Sequence, residues 1–407
     1  MQRREVIDLW ARESGKAFDW LKPLAEEAGC QIKTLGNGPH QALKDEHDYD
    51  INFKTLFFGP KPYSVGAGMV QLAKPAEKKG VDFYYETPGV QLIQDESGKV
   101  VGVVGKSKEG AIKFSAKLGV VITTGDYQND PEMIKYYCPD MQYFETKKSG
   151  RTGDGHKMVV WAGGQIENIG HTKMCHDFDS GPAGLMNMPL MRVKKNGKRF
   201  ANEELVHMEY MNNYLFSKED AGNYFEIFDS VYEEKFKDFP GEAPSLDELK
   251  MYMPEEDVER EGVVEPLIAT YSADSLDELA QKLGLDAEGL KAEVERYNKF
   301  VEQGADEDFG KNPKYLTKID IPPYFGTQRH VRLTMMCSGV EVNGEHERLD
   351  VEGEPIENLY AIGNVSGRFY GSIDYPLDVA GLNLGHNFTE GYYNGKKLAG
   401  ALKNSSR

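Results

Sequence analysis

A chain of 407 residues with 40% hydrophobic and 11% aromatic content is globular and too long for one ordinary core, which predicts two domains and argues against disorder. The net charge of −18 speaks against nucleic acid or an anionic membrane as partner, and no run of about 18 apolar residues offers a spanning helix. Cys30, Cys138, Cys175 and Cys337 are scattered without CxxC spacing, so buried thiols are expected, with no disulfide framework and no metal site.

In chain order, the apolar period Val6, Leu9, Trp10, Phe18, Leu21 predicts an amphipathic helix over residues 1–30. It lacks the apolar core of a secretory signal, which makes the cytoplasm the expected compartment. Residues 36–64 are dense in Gly, Pro, His and Asp and suit a loop that lines a cofactor or substrate. A helix is expected from Gly66 to Lys79, ended by Gly80. Alternation over 81–86 and 90–93, a turn at 96–99 and the run 100–104 predict strands joined by a hairpin, and a further strand over 116–122 runs into Thr123-Thr124-Gly125-Asp126. A helix is expected over 158–162. From 170 to 323 the composition shifts to acidic, aromatic-rich helices, with helical spacing from Leu276 to Phe300.

Near the C-terminus, Leu359 to Ile362 is a short run of strand formers broken by Gly363, and the segment Gly381-Leu382-Asn383-Leu384-Gly385 opens a helix carrying Phe388, Tyr392 and Leu398. A strand, a polar loop and a helix N-terminus in succession aim backbone N–H groups and a positive dipole end at a phosphate or an electron-rich ring. An ordinary strand–helix connection is the alternative reading of these residues alone.

The segments Asn358-Leu359-Tyr360-Ala361-Ile362-Gly363-Asn364, Tyr370-Gly371-Ser372-Ile373-Asp374-Tyr375-Pro376 and Ala380-Gly381-Leu382-Asn383-Leu384-Gly385-His386 closely resemble the C-terminal FAD-contacting part of the fumarate reductase/succinate dehydrogenase flavoprotein superfamily. Tyr375-Pro376 is more similar to the 3-ketosteroid dehydrogenase and ene-reductase branch. The resemblance extends along nearly the whole chain, through the Thr-Gly turn at Thr124-Gly125, the Thr-Gly-Asp-Gly turn at 152–155, the Gly-Lys-Arg-Phe turn at 197–200 and a cap-domain signature at 304–311.

The resemblance implies an α/β fold: a Rossmann-like FAD-binding domain, incomplete at its N-terminus, with an inserted α+β capping domain. Its parts are expected at 1–168 and 325–407, with the cap at 169–324. A strand followed by G-x-G-x-x-G and a helix is not found, since Gly66-Ala67-Gly68 follows no strand and lacks the third glycine. The chain therefore reads as a fragment, a product of a misplaced start, or a natural remnant, and an exported form stays open. Such a chain is expected to bind FAD weakly and to expose sheet edges.

For the cofactor, the resemblance implies Val90 and Gly125 on the adenosine side, Gly363 and Asn364 at the ribityl or pyrophosphate, and Gly381, Leu382, Asn383 and Leu384 at the isoalloxazine. Asp126 replaces a family glycine, and a carboxylate there is expected to disfavour a pyrophosphate. Asn364 stands where the family usually has Glu.

For the chemistry, His207 lies eight residues beyond Arg199, where fumarate reductases carry the proton-donating arginine. His171 matches the first carboxylate-binding histidine of that branch. The second falls at Met335 or Met336, and the gripping arginine falls near Asp378, so both cations are gone. Without them a small dicarboxylate would be left uncompensated. Met335, Met336, Phe369, Tyr370 and Tyr375 stand there instead, and the resemblance gives Tyr375 the role of polarising a carbonyl. Arg332 could meet a carboxylate tail.

The expected function is FAD-dependent hydride transfer at a C–C bond conjugated to a carbonyl, by an ene-reductase or dehydrogenase. Tyr375 and His207 are the expected catalytic residues, and His171, Arg332, Met335 and Tyr370 the substrate contacts. The expected partners are a small unsaturated carbonyl substrate and a separate electron-donor protein or domain. A cofactor-free remnant acting as a binding protein, and a fumarate reductase, are the alternatives.

Overall fold

The computed structural model describes residues 3–37, 53–59, 65–176, 180–204, 220–239, 243–371, 375–376 and 381–400. The chain divides into two compact units, one of Met1–Cys138, Lys148–Met174 and Met335–Arg407, the other of Pro139–Lys147 and Cys175–Thr334. The class is mixed α/β, as expected. No helix among the described residues is long and apolar enough to cross a membrane.

In the first unit the opening helix, Arg4–Glu27, buries Val6, Leu9, Ala17, Leu21 and Ala25 along one stripe, the period that an amphipathic helix requires. It lies beside the C-terminal helix, Leu382–Leu398, with Trp20 5.5 Å from Tyr392. The strand Pro355–Ala361 pairs in parallel with Val120–Ile122 and antiparallel with Glu347–Leu349. Ile122, Met158, Val159, Val340, Leu359, Ala361 and Val365 form the core around that sheet. The strand expected over 116–122 is confined to Val120–Ile122 because Gly119 holds φ +130, and a side chain there would strike the Asn358 carbonyl.

The alternation over 81–86 does not form a strand. A turn occupies Tyr85 and Glu86, and Glu86 holds φ +51, a conformation incompatible with an extended strand. Three antiparallel strands follow it, Gly89–Gln94, Val100–Ser107 and Gly110–Ser115.

The second unit is a four-stranded antiparallel sheet in the order Thr270–Ala273, Tyr324–His330, Asn223–Asp229, Met191–Val193. Two helices pack on it through Leu279, Leu283, Leu290, Val294 and Tyr297. The helical spacing from Leu276 to Phe300 is broken into Leu276–Leu283 and Ala287–Gln303. Gly284 at φ +69 closes the first helix, and the Asp286 side chain accepts from Gly289 N–H to start the second.

That unit also joins the 197–200 and 304–311 signatures. The Arg199 guanidinium meets Glu203 at 2.7 Å and Asp306 at 2.9 Å, and the Lys311 ammonium lies 3.4 Å from Glu203, all with side chains shut off from solvent.

Candidate active site

The closing strand of the parallel pair ends at Ala361 and delivers Gly363 and Asn364, while Gly381, at φ +72, starts the C-terminal helix. Both glycines adopt the left-handed conformation that turns a chain sharply. Gly363 N–H donates to Glu390 Oε2 at 2.5 Å, so the helix that follows the turn also holds it. Glu390 Oε1 lies 3.0 Å from both His346 Nε2 and His386 Nε2. Burial pushes the Glu390 carboxyl up, but the two imidazoles outweigh it and hold the group well below the usual carboxylate range.

A polar chain runs from the sheet to this helix. Asn364 Nδ2 donates to Met335 Sδ at 3.3 Å, and Asn383 Nδ2 donates to Asn364 Oδ1 at 2.7 Å. Asn383 N–H, in the first helical turn, donates to Tyr375 Oη at 2.8 Å. Around it Phe369, Tyr370, Tyr375, Leu382, Cys337 and Met174 form an apolar cluster. The Tyr370 and Tyr375 rings lie 5.4 Å apart. Met335 is thereby brought together with Asn364, Tyr370, Tyr375, Leu382 and Asn383. Burial pushes the Tyr375 phenol up, so it stays protonated and able to donate.

Gly125 holds φ +74, and a side chain there would strike Arg151. Asp126 is fully buried, with Oδ1 accepting from Gln128 N–H at 2.8 Å and Oδ2 paired to the Arg151 guanidinium at 3.1 Å. Burial raises its pKa and Arg151 opposes that. The carboxylate expected to repel a pyrophosphate is turned inward and matched. Val90 stands on the small antiparallel sheet, more than a third exposed, and Leu384 is half-buried in the first turn of the C-terminal helix.

His171 is buried in the first unit. Its Nδ1 meets the Tyr127 hydroxyl, and Tyr137 stacks on its ring at 4.8 Å. Burial pulls its pKa down to about 4, so it is neutral at neutral pH. Arg332 belongs to the second unit, where Glu145 faces it at 3.3 Å. His207 lies outside the described residues.

Sequence reasoning passes over Glu390, His386, Arg151 and Glu167. His386 and Glu390 stand four apart on one helix, a spacing visible in the sequence, but the third member, His346, is forty residues away.

A family profile described as FAD binding domain matches residues 2–374. The chain is 25% identical over 393 residues to the vinyl phenol reductase of Lactiplantibacillus plantarum, across 88% of this chain and 77% of that protein. It is 27% identical over 378 residues to the 4-oxocyclohexanecarboxylate 2-dehydrogenase of Sinomonas cyclohexanicum, across 82% and 60%. Among solved structures, a flavocytochrome c3 fumarate reductase in an open conformation superposes with a TM-score of 0.71 at 22% identity, covering 98% of this chain and 64% of that one. That last likeness is one of fold. The chain spans about three quarters of the first relative and less than two thirds of the other two.

Proposed function

The chain belongs to the FAD-binding domain family, and on that premise we propose that it is an FAD-dependent oxidoreductase acting on a C–C bond conjugated to a carbonyl, in a substrate larger and less charged than fumarate. The residues present fit the cofactor. The C-terminal helix is 17 residues long, starts at a left-handed glycine with no side-chain cap, and has open space beside Gly385, which together leave its dipole end available to a ligand. Asn387 Oδ1, against the Gly363 turn, is a buried acceptor without a hydrogen-bond partner among the described residues, suited to a ribityl hydroxyl. Gly363, Asn364 and the turn 381–384 would hold the group, which supplies hydride transfer at its N5 when bound.

The observation that carries the reading is Tyr375. Its oxygen accepts from the helix N–H of Asn383, which leaves its own proton to donate. A phenol held in an apolar cluster and donating to a carbonyl oxygen polarises an enone, which makes the distal carbon a better hydride acceptor. The proton on the neighbouring carbon is assigned to His207. His171 is neutral and enclosed, Arg332 is matched by Glu145, and Met335 carries no charge, an arrangement that supports a neutral substrate over a dicarboxylate. The relatives named for a vinyl phenol and an oxocyclohexane carboxylate support the same class. Reducing equivalents would come from a separate protein or domain.

Tyr375→Phe tests this. In anaerobic single turnover, FAD-loaded and chemically reduced Tyr375→Phe is expected to be reoxidised by an enone about 100-fold more slowly than wild type. An unchanged rate would remove Tyr375 from the chemistry.

A further inference from the structure

Glu167 lies on the loop after the helix Asp154–Trp161 and is 2% exposed. Its Oε1 accepts from Gly339 N–H at 3.0 Å, and its Oε2 accepts from Arg368 N–H at 2.7 Å. Its own N–H donates to the Gly339 carbonyl at 3.0 Å. Gly367 leaves the slot that it fills, and Gly339 lets segment 335–339 approach segment 363–370 closely. A Cβ on Gly367 would fall 2.8 Å from Glu167 Oε2, and one on Gly339 would fall 2.3 Å from the Val365 carbonyl oxygen. Arg368 holds φ +72, a backbone state rare for arginine. That state is pinned by its guanidinium on Glu341 and by Arg3 N–H on its carbonyl at 3.0 Å.

The three segments joined in this way carry the candidate site. Glu167 leads into His171, residues 335–339 begin with Met335, and residues 363–370 carry Asn364, Phe369 and Tyr370. We propose that Glu167 is a positioning residue whose carboxylate clips segment 335–339 to segment 363–370, setting where Met335, Asn364 and Tyr370 stand, and that protonation opens the clip. Its consequence for catalysis rests on the function proposed above; the clip itself does not.

A carboxylate offers a strong acceptor on each oxygen, whereas a carboxylic acid keeps one strong acceptor and turns the other oxygen into a hydroxyl that accepts only weakly. Either the Gly339 or the Arg368 N–H is then left with a much weakened bond. Burial pushes the Glu167 carboxyl up to about 7, opposed by the two N–H groups and the Arg368 guanidinium and reinforced by Glu341. His171 on the same loop, and Tyr127 and Cys337 from the packed elements, are the other titratable groups coupled to it among the described residues. The clip is therefore closed above neutrality and open below it.

Amide hydrogen exchange at Gly339 and Arg368 tests the clip without flavin or substrate. Glu167→Gln keeps the shape and offers one acceptor at every pH. One unit above neutrality it is expected to exchange at one of the two amides up to about tenfold faster than wild type. One unit below neutrality the two proteins are expected to match, because wild type is then protonated as well. Equal protection at both pH values overturns the proposal. Gly367→Ala, which drives the carboxylate out of its slot, should loosen the same amides in a protein that still carries Glu167. If enone turnover is found, its pH profile should lose a neutral inflection in Glu167→Gln. If turnover is absent but exchange behaves as stated, the clip stands and the proposed function fails.

Discussion

Arg199→Ala is expected to destabilise the second unit by about 3–5 kcal/mol, read as a lower denaturant midpoint with little change in its slope. The size follows from what the substitution leaves behind. Glu203 and Asp306 each accept two guanidinium bonds at 2.7–3.0 Å, and both side chains are closed to solvent. Without Arg199, two carboxylates are buried with Lys311 as the cation left beside them among the described residues. Burial raises the Asp306 carboxyl, but Arg199 more than reverses that and holds it at about 2. Its folded value is below its unfolded one, so the stabilisation is present above the unfolded pKa and is lost as pH falls through the folded value. Arg199→Lys should recover only part of the loss, since an ammonium cannot serve two carboxylates in the forked geometry.

The second large effect is expected at Glu390. Glu390→Ala removes the acceptor of Gly363 N–H and the partner of two buried imidazoles. Leaving a buried N–H without its acceptor and two buried imidazoles without their facing carboxylate costs about 3 kcal/mol or more. The loss falls on the Gly363 turn proposed to hold the cofactor, so FAD retention should drop further than global stability does. Fluorescence titration of FAD alongside thermal unfolding separates the two. Glu390→Gln, which still offers one oxygen to Gly363, should retain more FAD than Glu390→Ala. Equal FAD affinity in all three proteins would show that the turn does not depend on this carboxylate.

The C-terminal strand and helix are legible in the sequence because their signals are local: a run of strand formers, a glycine break, then a 3.6-residue period opened by Gly381. The cap signatures at 197–200 and 304–311 are legible as motifs but not as one structure. Their shared purpose, a buried ion network, exists only once residues 107 positions apart meet. The segment 81–86 misleads because alternation implies a strand only where one face is buried, and Phe83, Tyr84 and Tyr85 are all substantially exposed. Glu167 is invisible in sequence for the same kind of reason. Nothing in Gln165-Ile166-Glu167-Asn168 signals burial, because its partners are the backbones of Gly339 and Arg368 and the space left by Gly367. Asp126 reads as hostile to a cofactor until Arg151 is seen beside it.

The most direct measurement is the visible spectrum of the purified chain after incubation with FAD and desalting, recorded again after anaerobic reduction by dithionite and after addition of cyclohexenone or fumarate. Flavin bands that stay with the protein, bleach on reduction and return with the enone faster than with fumarate are the predicted result. A folded protein that leaves the column colourless, or a reduced flavin that fumarate reoxidises and the enone does not, would contradict it.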